Sequence, residues 1–352
     1  MWQYWVLYLC PIVCLYSPFK VEKNFKTILW ITYISILIFV IGLRHRIGGD
    51  WHHYLNYFEY TKDSSFLNIF RISDPLYIII NWIGAQLSLN IYFVNTICGI
   101  IFILSLFYFC SKLPNTLLAI IISFPFMILV VGMGYTRQSL SVAFILLILS
   151  LKNNKFFLKY FLSVLAILSH RTSLLIIFCF LFPYNLYKKN ILIALIASFI
   201  FSLFAIFVFY MFFSSDISHM YGSYVQMSLS GQQYSFGVYY RVALNLFPII
   251  FFILNYSRFA KLYPDSNIYL IFSIIMICIS PFSFYFSTLV DRLTIFLTFL
   301  QIALWPRLIN LSENRKSRIL LQTSIIVLYT LVMFVWLNFA NNRYNWVPYF
   351  RD

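Results

Sequence analysis

The sequence predicts an all-α fold: a polytopic transmembrane bundle of about 12 spans, plus one re-entrant or interfacial helix. Three observations lead there. Hydrophobic residues fill 62% of the 352 positions and charged residues only 10%, against about 25% charged in a typical soluble domain. The apolar residues fall into runs near the length of a membrane crossing, which takes roughly 20 residues. The basic residues form small clusters between those runs, as cytoplasmic loops do. A soluble fold of this length must cover itself with polar groups, and these are too few. A single integral membrane domain over residues 1–352 is expected, because no stretch is long and polar enough to fold apart.

The runs occupy residues 2–17, 27–43, 75–89, 91–111, 115–133, 136–151, 157–169, 172–187, 191–213, 237–256, 267–289, 292–309 and 319–340. Helices are the default, since a segment in lipid must satisfy its own backbone groups. Lys20, Lys23 and Lys26 mark a cytoplasmic loop. So do Lys152, Lys155 and Lys159, then Lys188 and Lys189, then Arg258 and Lys261, then Arg307, Arg315, Lys316 and Arg318. Loops 44–74 and 214–236 then lie outside. Two runs separate loop 44–74 from the basic Lys112, where an odd number of crossings is needed. Run 75–89 is short and carries Asn81, Gly84 and Gln86, so it is read as the re-entrant or interfacial helix. That leaves twelve spans with both termini outside; thirteen, with Lys112 an exception, is the alternative. Trp2–Tyr16 lacks a charged leader and a small-residue cleavage site, and reads as a retained span.

The net charge of +15 does not indicate nucleic-acid binding, which would require a continuous basic face. Cys10, Cys14, Cys98, Cys110, Cys179 and Cys278 lie within or at the ends of apolar runs without C-x-x-C spacing. They read as packing residues, not a zinc or redox site. No metal and no cofactor is expected. Zincin, P-loop, G-x-S-x-G and paired-carboxylate motifs are absent.

Polar residues that contradict the membrane mark candidate sites, and on this topology they gather at the outer, periplasmic face. Arg44-His45-Arg46-Ile47-Gly48-Gly49-Asp50-Trp51-His52-His53-Tyr54 follows a span directly. Arg44 and Arg46 offer forked donors suited to phosphate oxygens, and Gly48 permits close backbone approach. Asp50 can accept a proton, orient a hydroxyl, or pair with an arginine. Arg137, in Tyr135-Thr136-Arg137-Gln138-Ser139, sits at a helix N-terminus, where the dipole disfavours a cation and welcomes an anion. His170, in Ser169-His170-Arg171-Thr172-Ser173, follows Lys159 by 11 residues, roughly 16 Å of helix. That turn falls short of the outer surface, so it must pack on protein or line a cavity, which makes His170 the leading acid–base candidate. Arg241 enters a span, and Asp291-Arg292 lies between two runs, where the pair can neutralise itself. Arginine-led constellations on one side describe an outward active-site cavity that binds anions.

The pattern G-L-R-x-x-I-G-G-D-W-x-x-Y at Gly42 to Tyr54 resembles the first signature of the EpsG family of bacterial polysaccharide proteins, related in function to Wzy polymerases. Asp74-Pro75-Leu76-Tyr77, Arg137-Gln138-Ser139, Ser169-His170-Arg171-Thr172-Ser173 and Asp291-Arg292 resemble its later segments in order. The likeness covers roughly residues 40–300. Gly49 departs from it, standing where the family often has threonine.

The resemblance implies polymerisation of undecaprenyl-pyrophosphate-linked oligosaccharides at the outer face of the bacterial cytoplasmic membrane, for O-antigen, capsule or exopolysaccharide. In that reading Arg44, Arg46, Gly48, Tyr54, Arg241 and Arg292 bind substrate and pyrophosphate. His170, Asp50 and Arg137 carry the chemistry, with Asp50 or His170 as base. The expected partners are the lipid bilayer, the lipid-linked oligosaccharides, a chain-length regulator and a flippase, with no nucleic acid. The alternatives are an O-antigen ligase or other lipid-linked glycosyltransferase, a membrane acyltransferase, and a polysaccharide transporter or flippase. This topology predicts that an impermeant thiol reagent added outside intact cells modifies a cysteine at Glu59 and leaves one at Lys316 untouched; the reverse pattern would invert the orientation.

Overall fold

The computed structural model describes residues 1–18, 22–152, 155–174, 176–177, 235 and 237–349. The expected spans at 172–187 and 191–213 and the loop 214–236 fall wholly or mostly outside these, as do Lys20, Cys179, Lys188 and Lys189. Among the described residues the ordered elements are all helical. The chain divides into two compact units, residues 1–171 with 301–352, and residues 172–300.

In the first unit, α1 spans Trp2–Tyr16, α2 Lys23–Gly42, α3 Trp51–Lys62, α4 Pro75–Gln86 and α5 Ile91–Ser111. Next come α6, Thr116–Ser123, which runs into a π-helical stretch Phe124–Gly132, then α7, Thr136–Ser150, and α8, Phe156–Ser169. The unit ends with the helix Arg315–Phe339 and a short turn Arg343–Asn345. Its interior helix is α5, started by the Asn90 side chain accepting the Tyr92 N–H at 3.1 Å. The hydrophobic window of α5 is 61% buried, against 17% for α2, so α2 turns most of its apolar surface outward. Phe39 on α2 and Val13 on α1 are exposed, as are Leu320 and Phe339 on the helix Arg315–Phe339; a solvent for such surface is lipid. Small residues let α2 approach α5: a Cβ on Gly42 would lie 2.4 Å from Thr96 Oγ1, and one on Gly99 3.1 Å from Ile41 Cγ2.

Five described helices are long and apolar enough to cross a membrane: Lys23–Gly42, Ile91–Ser111, Gly237–Leu254, Ser266–Phe284 and Arg315–Phe339. A sixth is reached if the bent pair Ser287–Leu297 and Phe299–Asn310 is one crossing. Trp2–Tyr16, Thr116–Gly132, Thr136–Ser150 and Phe156–Ser169 are shorter apolar helices. This is a multi-pass membrane protein. Run 75–89 forms only the 12-residue α4, about 18 Å long, which is short of the roughly 30 Å of hydrocarbon. Its polar Asn81 is buried and donates to Tyr77 O at 2.8 Å. In the second unit, Gly237–Leu254 packs against Ser287–Leu297 and Ser266–Ile279.

Arg44 ties three helices of the first unit. Its guanidinium donates to Ile41 O at 2.6 Å, Asn95 Oδ1 at 2.9 Å and Thr136 Oγ1 at 2.7 Å, from α2, α5 and α7. Arg44→Ala strands those acceptors and empties their site, so it should cost on the order of 3 kcal/mol. Unfolding of the purified protein in detergent measures this, and an unshifted midpoint would show that the tie holds nothing.

Candidate functional site

The site is built on one carboxylate. Asp74 precedes Pro75, and a residue before proline is held in extended backbone; here φ is −57° and ψ 130°. Asp74 occupies the N-cap position of α4, yet its side chain makes no capping bond. It turns inward, where it is 1% exposed. Oδ2 accepts from Arg137 Nη1 at 3.0 Å and faces His170 Nδ1 at 3.1 Å. Oδ1 accepts from the Arg171 backbone N–H at 3.2 Å and from Arg171 Nε at 3.1 Å. A buried carboxylate is tolerable only when paired and hydrogen-bonded, and these contacts supply both.

Each partner is delivered by the end of a helix. Arg137 is the second residue of α7, where the helix dipole opposes its charge and Asp74 compensates. Its Nη1 also donates to Ser73 Oγ at 3.1 Å. The guanidinium carbon lies 5.1 Å from the ring centre of Tyr57 and 6.0 Å from that of Tyr54, within cation–π range. His170 ends α8 in extended backbone, φ −160° and ψ 113°, and is 8% exposed. The polar turn thus packs inside the protein, as the short distance from Lys159 predicts. Gln138 Nε2 lies 3.2 Å from His170 Nε2. With Nδ1 facing Asp74 and Nε2 facing Gln138, both ring nitrogens of His170 are engaged.

Burial raises the affinity of the Asp74 carboxyl for a proton, but His170, then Arg137 and Arg171, outweigh it and hold the group well below the usual carboxylate range. Arg137 and Arg171 stay 23% and 21% exposed. Among the described residues one carboxylate faces these two guanidiniums, and planar guanidinium donors suit anionic oxygens.

The other expected residues separate into groups. Asp50, at the N-cap of α3, is half-buried, and among the described residues its side chain has no hydrogen bond or ion pair. Asp50, Tyr54 and Tyr57 are spaced i, i+4, i+7 and share one face of α3, the face that Arg137 overlies. Gly48 has φ +99°, and a Cβ there would lie 2.8 Å from Gly134 Cα, so only glycine fits. Arg46 is exposed, with φ +50°. Arg44 lies apart from the Asp74 cluster: it is 1% exposed and bound to three protein acceptors, a packing position and not an open one. Arg241 and Arg292 belong to the second unit. Arg241 Nε donates to Asp291 Oδ1, Ser235 Oγ donates to Asp291 Oδ2 at 3.0 Å, and Arg241 Nη2 donates to Ser235 Oγ at 3.1 Å. Asp291 therefore pairs across helices with Arg241. Among the described residues no three His, Cys, Asp or Glu side chains gather as a metal-ligand set.

Sequence reasoning placed Asp74, Gln138 and Arg171 in its notable segments without giving them a role, and passed over Ser73 and Tyr57. A signal existed for Asp74: the chain has only ten acidic residues, and two arginines and a histidine on apolar helix ends require a buried counter-charge.

The model of the EpsG family matches residues 27–350, nearly the whole chain. The chain belongs to the EpsG family. EpsG proteins are Wzy-like polysaccharide polymerases, so this multi-pass protein is placed in polysaccharide biosynthesis. No curated protein and no solved structure matches it.

The Asp74 carboxyl gives a pH signature. Its folded pKa lies below the unfolded value, about 3.9, so its stabilisation is full above that pH and is lost as pH falls toward the folded value. In detergent, the melting temperature should fall below about pH 4, and more steeply for the wild type than for Asp74→Asn. Parallel acid profiles would show that Asp74 does not carry this linkage.

Proposed function

We propose that this EpsG-family protein is a metal-independent glycosyltransferase that joins undecaprenyl-pyrophosphate-linked oligosaccharide repeat units at the outer face of the bacterial cytoplasmic membrane. Its product is O-antigen, capsule or exopolysaccharide. The observation that carries the reading is the Asp74 cluster: two partly exposed guanidiniums aligned by one buried carboxylate. A leaving pyrophosphate develops charge that fixed guanidiniums stabilise.

In this reading the hydroxyl oxygen of the acceptor sugar attacks the anomeric carbon of the donor. The bond from that carbon to the pyrophosphate oxygen breaks, and the lipid pyrophosphate leaves with the electron pair against Arg137 and Arg171. The hydroxyl proton passes to a base. His170 has Nδ1 on Asp74 and Nε2 on Gln138, which suits a positioning residue. Asp50 carries an unpaired, half-buried carboxylate, on the same face of α3 as Tyr54, which suits the base. Arg46, exposed near Asp50, offers a further donor to an anionic oxygen. Arg241, held by Asp291 and Ser235, and Arg292 keep the substrate-binding role that the family resemblance implies. The exposed apolar helix faces suit about twelve crossings and the polyprenyl chains of both substrates.

Deletion of the gene should leave single repeat units where long chains were made. Loss of all attached units would favour a ligase, and units held on the cytoplasmic side would favour a flippase. Asp50→Asn should lower chain extension at least about 100-fold, the scale of general-base catalysis. Arg137→Lys, which loses the planar fork, should fail to restore it. His170→Gln keeps a hydrogen bond to Asp74 and should retain substantial extension. An active Asp50→Asn beside an inactive His170→Gln would exchange the two roles.

A further inference from the structure

The C-terminal segment Arg343–Tyr349 is bound at five points within the first unit, two of them at the turns that precede Asp50 and Arg137. Asn345 O accepts the Gly48 N–H at 2.9 Å. The Trp346 indole N–H donates to Leu129 O at 2.9 Å, inside the π-helical stretch. Trp346 O accepts from Tyr4 Oη at 2.7 Å, and Tyr349 Oη donates to Val40 O at 2.8 Å. The Trp346 ring, 3% exposed, lies so close to Gly134 that a Cβ there would meet Cζ2 at 2.3 Å. Gly48 comes two residues before Asp50, and Gly134 three before Arg137. Gly48 and Gly134 also touch each other, with the added Cβ of Gly48 meeting Gly134 Cα at 2.8 Å. The dipeptide Asn345-Trp346 therefore contacts both backbone turns that precede Asp50 and Arg137.

We infer that Trp346 is a positioning residue: with the Asn345 carbonyl it clamps the Gly48 and Gly134 turns and so sets the placement of Asp50 relative to Arg137. The inference rests on the reading of those two residues as reacting groups. The physical basis is that a catalytic pair tolerates little displacement, whereas turns at helix ends open easily unless bound. The clamp replaces that freedom with two hydrogen bonds and a ring fitted against a glycine.

The test uses full-length protein in the gene-deleted cell and two readouts. Trp346→Ala is scored for polysaccharide chain length, normalised to protein in the membrane. Separately, a cysteine at Ile47, next to Gly48 and 1% exposed, is labelled by a maleimide in membranes opened to both sides, with Trp346 present or replaced. We expect chain extension to be lost and the labelling rate at position 47 to rise about five-fold or more, the population change that follows loss of one buried hydrogen bond. Labelling of the buried Cys98 should not change, which separates a local opening from general unfolding. Trp346→Phe keeps a ring against Gly134, loses the bond to Leu129, and should fall between the two. If Trp346→Ala does not accumulate, Gly134→Ala, whose Cβ displaces the indole, takes its place. Extension lost with labelling at 47 unchanged, labelling increased with extension normal, or labelling increased equally at Cys98 each overturns the positioning role. The labelling result does not depend on what the protein polymerises. If Asp50→Asn and Arg137→Lys both extend chains normally, the functional reading fails while the clamp itself still stands or falls on labelling.

Discussion

A carboxylate buried in a membrane protein must be paired, and that requirement at Asp74 organises the first unit. Its two oxygens take Arg137, His170 and both donors of Arg171. Meeting that demand draws the start of α4, the start of α7 and the end of α8 to one point. Arg137 and Arg171 stand 63 and 97 residues from Asp74 in sequence. Breaking such a group by removing one partner leaves an uncompensated charge, so the arrangement is held as a unit. The same pairing solves a problem for Arg137, whose position on the first turn of a helix is electrostatically unfavourable alone. Arg137 and Arg171 are thereby fixed while keeping part of their side chains exposed.

Around this point the architecture limits motion by close packing of backbone. Gly42 and Gly99 let α2 lie against α5, Arg44 ties both to Thr136 at the start of α7, and Trp346 fills the notch at Gly134. The turns before Asp50 and Arg137 are therefore packed against each other and against the C-terminal segment. Arg44 shows how the two roles of arginine separate. Enclosed and bound to three acceptors, it holds helices together. Arg137 and Arg171 are bound to Asp74 and remain partly exposed.

Much of this was legible in the sequence, and what was not has a physical cause. The runs at 27–43 and 91–111 correspond to α2 and α5, since length and hydropathy are local properties. The inward placement of His170 followed from counting residues back to Lys159. The special backbone at Gly48 followed from the Gly-Gly pair before Asp50. The partners were hidden. Asp74 before Pro75 reads locally as a helix cap, and nothing in residues 73–75 tells that its side chain crosses to α7 and α8. Arg44 follows a span and reads as an interfacial donor, because its acceptors Asn95 and Thr136 lie 51 and 92 residues away. The segment Arg343–Tyr349 has no motif at all; its role rests on backbone carbonyls and on two glycines elsewhere in the chain. Pairings across the sequence are set by packing, and one sequence does not display them.

The central claim is that Asp74 aligns Arg137 and Arg171 to hold a pyrophosphate. The most direct measurement is the binding of inorganic pyrophosphate, the headgroup without its lipid, to purified protein by calorimetry. The wild type is compared with Arg137→Gln, Arg171→Gln and Asp74→Asn at one pH and ionic strength. The account predicts binding that weakens about ten-fold or more in each variant, the scale of one lost charge-assisted hydrogen bond. Equal affinity in all four proteins would contradict it.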